Sequence, residues 1–256
     1  LIKKKVVHID DDIKALLQNL RIEGNVVFID VQLDRDTYVR LNKALEALGG
    51  KWNRSARGHI FNGNPSEKIA EALEAGEAVD IKKTFEFFET PVNVGVMLGG
   101  MLRIEPGMKV LEPSAGHGMI ADIVRTICPD CTIHVIEIDP ENRAVLKEKG
   151  YKLVGKDFLK YRKKKPLYDR IAMNPPFSRQ QDIDHVRHAY KFLKPGGRLA
   201  SVMAGGTEFR ENRKNTEFLE WASQKPGFEI LQLPEGSFKE SGTGVNTIIL
   251  TIQKPE

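Results

Sequence analysis

Four short runs in this 256-residue chain place polar or aromatic side chains directly after apolar stretches of strand length. The first, Leu111-Glu112-Pro113-Ser114-Ala115-Gly116-His117-Gly118, is a turn of small residues that opens a helix. Its glycines let the backbone approach a ligand closely, and the helix start offers free amides. A strand-to-helix turn wants glycine in any case, so this run alone leaves ligand binding and plain turn chemistry both open. The second, Val135-Ile136-Glu137-Ile138-Asp139, puts Glu137 nineteen residues past Gly118, a spacing at which an acid can accept both hydroxyls of a ribose. A third glycine is missing, so the pair is a poor dinucleotide fingerprint. In the third, Gly155-Lys156-Asp157-Phe158, Asp157 can accept from an amine on a ring whose face Phe158 covers, or it can cap a helix. The fourth, Asn174-Pro175-Pro176-Phe177, is the most specific. Two prolines fix φ, remove amide donors and stiffen a turn that presents carbonyls outward. The Asn174 side-chain oxygen and the Pro175 carbonyl can both accept from an exocyclic NH2, with Phe177 as a stacking face.

Weaker signals surround these. Cys128-Pro129-Asp130-Cys131 has the spacing of a metal or redox pair, but no second pair exists, and local packing is the expectation. His185 and His188 are expected on a partly exposed helix face. His117 lies inside the small-residue turn, where its backbone matters more than its ring.

The elements that must position these runs follow from periodicity. From about Thr90 strands and helices alternate. Helices are expected at 91–102, 119–127, 140–149, 183–193 and 215–223, and strands at 109–112, 132–137, 151–154, 168–173, 198–203, 228–233 and 245–252. Such alternation implies an α/β fold, a mostly parallel sheet covered on both faces, with ligands at the carboxyl ends of its strands. All four runs fall there. Residues 1–80 read differently, as a small N-terminal α+β module, and 81–256 as the main domain. In the module a strand is expected at 25–31, helices at 34–48 and 65–75, and a hairpin at 51–61, while 1–20 are ambiguous.

Hydrophobic residues make up 41% and charged residues 29% of the chain, ordinary for a globular protein with a sizeable core. No eighteen apolar residues run together, and Leu1-Ile2-Lys3-Lys4-Lys5 has no apolar leader pattern, so neither a membrane span nor a secretory signal is expected. Two cysteines exclude a disulfide scaffold and point to a reducing, cytoplasmic setting. Net charge is +4, yet residues 143–198 hold sixteen Lys/Arg against five Asp/Glu. That excess suits a polyanion such as nucleic acid, or is a set of solvated faces.

Together, the four runs resemble, in order and position, the motifs of class I S-adenosylmethionine-dependent methyltransferases with a Rossmann-like sheet. Within that class residues 88–252 are similar to the amino-methyltransferases carrying Asn/Asp-Pro-Pro-Tyr/Phe. The nearest likeness is to DNA adenine N6 enzymes and modification subunits of type I restriction systems. The resemblance implies S-adenosylmethionine as cofactor and no metal. It assigns the methionine moiety to Phe88, Thr90, Pro91 and the turn Glu112, Pro113, Ser114, Ala115, Gly116 and Gly118. It assigns the ribose to Glu137, the adenine to Ile138, Asp157 and Phe158, and catalysis to Asn174, Pro175, Pro176 and Phe177. Phe238 resembles the aromatic that packs on a flipped base. DNA is expected ahead of RNA, with RNA adenine or guanine, or protein glutamine, as alternatives. A third possibility is a non-catalytic binding subunit, against which stand Asn174, Glu137 and Asp157. Relatives with this motif order carry a recognition domain after the catalytic one. With none visible here, low sequence specificity or a separate recognition subunit is expected. In the N-terminal module Lys51, Trp52, Arg54, Arg57 and His59 are candidate nucleic-acid contacts.

Overall fold

The computed structural model describes residues 6–61, 63–79, 89–239, 241 and 244–256. Two units divide the chain, Leu1–Glu86 and Phe87–Glu256. The first contains β1 (Val6–His8), α1 (Asp11–Gln18), β2 (Arg21–Glu23), β3 (Val26–Phe28), α2 (Arg35–Ala47), β4 (Lys51–Asn53), β5 (Gly58–Ile60), α3 (Ser66–Ala75) and β6 (Glu77–Val79). The ambiguous opening segment thus supplies β1 and α1. α2 starts where it does because the Asp34 carboxylate accepts from the Asp36 and Thr37 amides, both at 3.0 Å. Its apolar face, Leu41, Ala44 and Leu45, buries against Ile13, Leu17, Val27 and Ile69. β2-β3-β5-β4 form an antiparallel sheet, and β1 pairs with β6. His59, a candidate nucleic-acid contact from its sequence neighbours, is 0% exposed and bonded through Nε2 to Asn42 Oδ1 at 2.7 Å. It belongs to the core, because β5 is the inner strand of its hairpin.

The second unit contains α4 (Val92–Leu102), β7 (Lys109–Pro113), α5 (Met119–Ile127), β8 (Thr132–Ile136), α6 (Pro140–Glu148), β9 (Lys152–Gly155), β10 (Tyr168–Met173), α7 (Gln181–Tyr190), β11 (Leu193–Ala204), α8 (Arg213–Ser223), β12 (Glu229–Gln232) and β13 (Thr247–Gln253). Its strands form one sheet in the order β12-β13-β11-β10-β7-β8-β9. The five from β11 to β9 run parallel, and β13 is antiparallel to both neighbours. This is the α/β architecture expected from the alternation. The order reverses between β7 and β10, the switch point at which open sheets of this kind bind ligands. β11 begins five residues earlier than its apolar run suggests. Leu193 already pairs with Tyr168, and the register shifts before Arg198 joins Arg170.

Helix α4 packs closely on α5. A Cβ built on Gly95 would run into Ile123, and one on Gly99 would stand 2.6 Å from Ile127 Cδ1. Among the described residues no helix is long and apolar enough to cross a membrane.

Two expectations are corrected here. His185 and His188 are buried rather than on an open face, because α7 lays that side on Phe158, with ring centroids 5.6 and 4.9 Å away. Burial holds both imidazoles below their ordinary pKa, hence neutral. Phe238 is 1% exposed in a cluster with Leu98, Val202, Leu233 and Ile249, so its ring is occupied by core neighbours and does not face a substrate base. Phe238→Ala is therefore expected to cost about 3–5 kcal/mol of stability in urea titration. A ring set aside for a base would cost little when removed.

Candidate active site

The turn after β7 is built from backbone conformations that few residues tolerate. Ser114 has φ +59°, Gly116 +56° and Gly118 +80°, and a Cβ on Gly118 would stand 2.7 Å from Leu146 Cδ2. Three consecutive features then hold the turn. The Ala115 amide donates to the Ile136 carbonyl at 3.0 Å and the Gly116 amide to Glu137 Oε2 at 2.6 Å. The other Glu137 oxygen accepts from the Asp139 amide at 2.8 Å. Glu112, at the end of β7, turns under the loop and accepts from the Ala121 amide at 2.7 Å, satisfying a donor at the start of α5. From outside, Lys149 Nζ donates to the His117 carbonyl at 2.8 Å and to Asp122 at 2.7 Å, and Tyr151 donates to Asp122 at 2.5 Å.

Glu112 and Glu137 are both buried, and burial raises both carboxyl groups above their ordinary pKa, Glu112 well above it. A carboxylate oxygen can accept a second donor beyond an amide it already holds. A set of acceptors under a left-handed glycine turn suits a ligand that brings hydroxyl and ammonium donors, so the residues present fit an aminoacyl nucleoside.

Asn174 follows β10. Its Nδ2 donates to Thr90 Oγ1 at 3.1 Å, linking residues 84 apart, with Thr90 buried just before α4 and Pro91 as that helix's N-cap. Phe177 is half-buried against the cluster that contains Phe238 and caps a short 3-10 turn, Ser178–Gln180. Within it Arg179 and Gln180 take φ of +52° and +56°, strained for side-chain-bearing residues.

The structure thus gathers Glu112, Pro113, Ser114, Ala115, Gly116, Gly118, Glu137 and Ile138 around one loop, and Thr90, Pro91, Asn174, Pro175, Pro176 and Phe177 around the end of the adjacent strand. Asp157 caps the 3-10 turn Phe158–Lys160 through the Leu159 amide at 3.1 Å and pairs with Lys160, the capping alternative its sequence allowed. Phe158 is buried among His185, His188 and Phe192. Phe88 lies outside the described residues. Sequence reading missed Asp182, a buried carboxylate that accepts from the Ala204 amide at 3.1 Å and ties α7 to the end of β11. Its signal was its place in the first turn of a helix. Cys131 donates to the Glu105 carbonyl at 3.3 Å, and burial beside Cys128 pushes its thiol up to about 12. Among the described residues no group of three or more His, Cys, Asp or Glu could hold a metal ion.

Much of the cationic excess of 143–198 is spent internally. Lys149, Lys160 and Lys194 pair with Asp122, Asp157 and Asp169. Arg143, Arg162, Arg170 and Arg187 donate to backbone carbonyls. Lys163 acts together with Lys109 and Lys152, the first residues of β7 and β9, on His134, whose pKa burial and these cations bring down to about 4. The lysine run at 163–165 therefore lies toward the amino ends of the strands, away from the loops that carry the site.

The chain matches the family profile described as the methyltransferase small domain over residues 96–232, more than half its length. A tRNA (guanine(6)-N2)-methyltransferase of Thermus thermophilus is 29% identical over 126 residues, 41% of this chain and 37% of that protein, so the chain spans little more than a third of that relative. A structure described as a modification subunit of a type I restriction enzyme from Vibrio vulnificus is similar in fold over 99% of this chain and 66% of its own, with TM-score 0.57 and 17% identity. A Haemonchus contortus phosphoethanolamine N-methyltransferase in complex with S-adenosyl-L-methionine aligns over 64% of this chain and 53% of its own, with TM-score 0.50 and 12% identity.

Because the folded Glu112 carboxyl keeps its proton above the ordinary value of 4.5, its stabilising contribution is complete below that pH and is lost as pH rises toward its folded pKa. Glu112→Gln keeps an oxygen for the Ala121 amide and does not ionise. Urea titrations of the cofactor-free protein are expected to show the variant gaining on the parent as pH rises above about 5, with the two converging in acid. A difference independent of pH would show that Glu112 is not the titrating group.

Proposed function

Because the chain belongs to the methyltransferase small domain family, we propose that it methylates the exocyclic amine of a nucleic-acid base, adenine N6 in DNA first. The fold is that of the Rossmann-like class I methyltransferases, and S-adenosylmethionine is the cofactor. When bound, it supplies a methyl group activated on a sulfonium. Glu137 would accept its ribose hydroxyls, Glu112 and the 114–118 turn would hold its amino-acid end, and Ile138 and Asp157 would border its adenine. The buried carboxylates suit the ligand's cationic ammonium.

The observation that carries the reading is the Asn174–Thr90 hydrogen bond at the end of β10. With Nδ2 on Thr90, Oδ1 is the end of the amide that would accept from an incoming amine. The Pro175 carbonyl follows on a backbone that proline holds rigid. An aromatic amine delocalises its lone pair into the ring and is a poor nucleophile. Two oxygens drawing its hydrogens out of plane return that lone pair to nitrogen, a gain of positioning and electrostatics. Phe177 offers a face to a base that has left its stack.

Guanine N2 in RNA is the second reading, favoured by the likeness to the tRNA guanine enzyme. The test is transfer of labelled methyl to unmethylated DNA, to tRNA and to protein, followed by nucleoside analysis. N6-methyladenine in DNA is the expected product. N2-methylguanine in RNA alone would replace the first reading with the second, and label only in protein would overturn both. Asn174→Ala should lose about 100-fold or more in rate while keeping its thermal shift with S-adenosylmethionine. Glu137→Ala should lose the shift itself.

A further inference from the structure

The hairpin β4–β5 of the first unit carries a group of side chains that the site above does not use. Between Glu46 and Glu67 the chain has no acidic residue, while it has Lys51, Arg54 and Arg57. Two other arginines of this unit are consumed by carboxylates: Arg21 by Glu23 and Asp30, Arg40 by Asp10, Asp12 and Asp36. Among the described residues, Lys51, Arg54 and Arg57 have no such partner, and all three are exposed or nearly so.

The hairpin is also stiff. Asn53 Oδ1 accepts from the Ala56 amide at 2.8 Å across the tip, and Arg57 sits in the left-handed region at φ +51°. Gly58 is packed so closely that a Cβ would stand 2.8 Å from the Val27 carbonyl. Trp52, opposite His59 in register, is 49% exposed, and its ring is propped edge-on against the buried imidazole at 5.4 Å. β4 is the outer strand of its sheet, so nothing in the sheet covers it on that side.

We infer that this hairpin is a binding surface for single-stranded nucleic acid, with Lys51, Arg54 and Arg57 on phosphates and Trp52 stacking on a base. The inference rests on the nucleic-acid reading for the class of partner and adds where that partner is held. Unpaired cations around one exposed, pre-oriented indole combine the two contacts that bind single strands without regard to sequence. With Ser55 and Ala56 at the tip, Trp52 is, among the described residues, the one large apolar side chain the hairpin exposes, which suits stacking on a single base better than burial in a bilayer.

The test uses the full chain and fluorescein-labelled 20-nucleotide DNA and RNA single strands of one sequence, followed by anisotropy over a range of salt. In Lys51→Ala/Arg54→Ala/Arg57→Ala the slope of log K against log salt should shrink by about 2. Affinity at moderate salt should fall by about tenfold or more, with an unchanged melting curve. The control Lys163→Ala/Lys164→Ala/Lys165→Ala removes the same charge from the second unit and should lose far less. Strand binding should quench tryptophan fluorescence in the parent and not in Trp52→Phe, where Trp221 alone remains.

Equal losses in the two triple variants would overturn the hairpin assignment and leave the substrate reading standing. Loss of binding to anionic vesicles with strand binding intact would replace nucleic acid by lipid at this surface. A parent chain that binds neither strand would overturn the inference, while the labelled-methyl assay would decide the substrate reading separately.

Discussion

A parallel sheet ends all its strands at one edge, where the turn amides have no neighbouring strand to donate to. The second unit meets that constraint with buried carboxylates. Glu112 and Glu137 stand under the turn after β7 and take up the amides of Ala121, Gly116 and Asp139. Everything around them follows from the arrangement. The loop can run through left-handed conformations because its amides are held, and α5 can begin without a side-chain N-cap at Gly118 because Glu112 reaches its first turn. The same desolvation leaves two acidic groups whose ionised forms call for a cation or for hydroxyl donors, which makes the structural solution a binding surface as well.

The second half of the site obeys a different rule. Asn174 is an amide whose two ends differ in chemistry but hardly in shape, so something must set which end faces out. Thr90 takes the Nδ2 end, from a segment far away in sequence just ahead of α4, although a hydroxyl could equally have donated to the oxygen. The strained pair Arg179 and Gln180 after Phe177 shows that the backbone beyond the motif is held in place by its surroundings.

What the sequence made legible was local. Strand-to-helix alternation gave the sheet, because period and turn residues are properties of short windows. The runs at Glu112–Gly118, Glu137 and Asn174–Phe177 stood out because their chemistry lies within a few residues. Burial was not legible in the same way. His59, His185, His188 and Phe238 each look usable in sequence, and each is claimed by neighbours from distant elements: Asn42, Phe158, Leu233 and Val202. The basic excess of 143–198 has the same limit, since a cation count does not say which lysines meet Asp122 or Asp169. Thr90 was read as a ligand contact, and its bond to Asn174 depends on a fold that no window contains.

The approach of α4 to α5 over Gly95 and Gly99 carries a mechanical consequence. One helix leads away from Thr90 and the other from the glycine turn, so the spacing between their axes sets the spacing between the two halves of the site. That spacing is set where bare backbone at Gly95 and Gly99 meets the side-chain ends of Ile123 and Ile127. An added methyl group there acts like a shim in a jig, misaligning parts it never touches. The burden falls on Gly95, whose neighbour Ile123 is buried, more than on Gly99, whose neighbour Ile127 is 48% exposed and can swing aside.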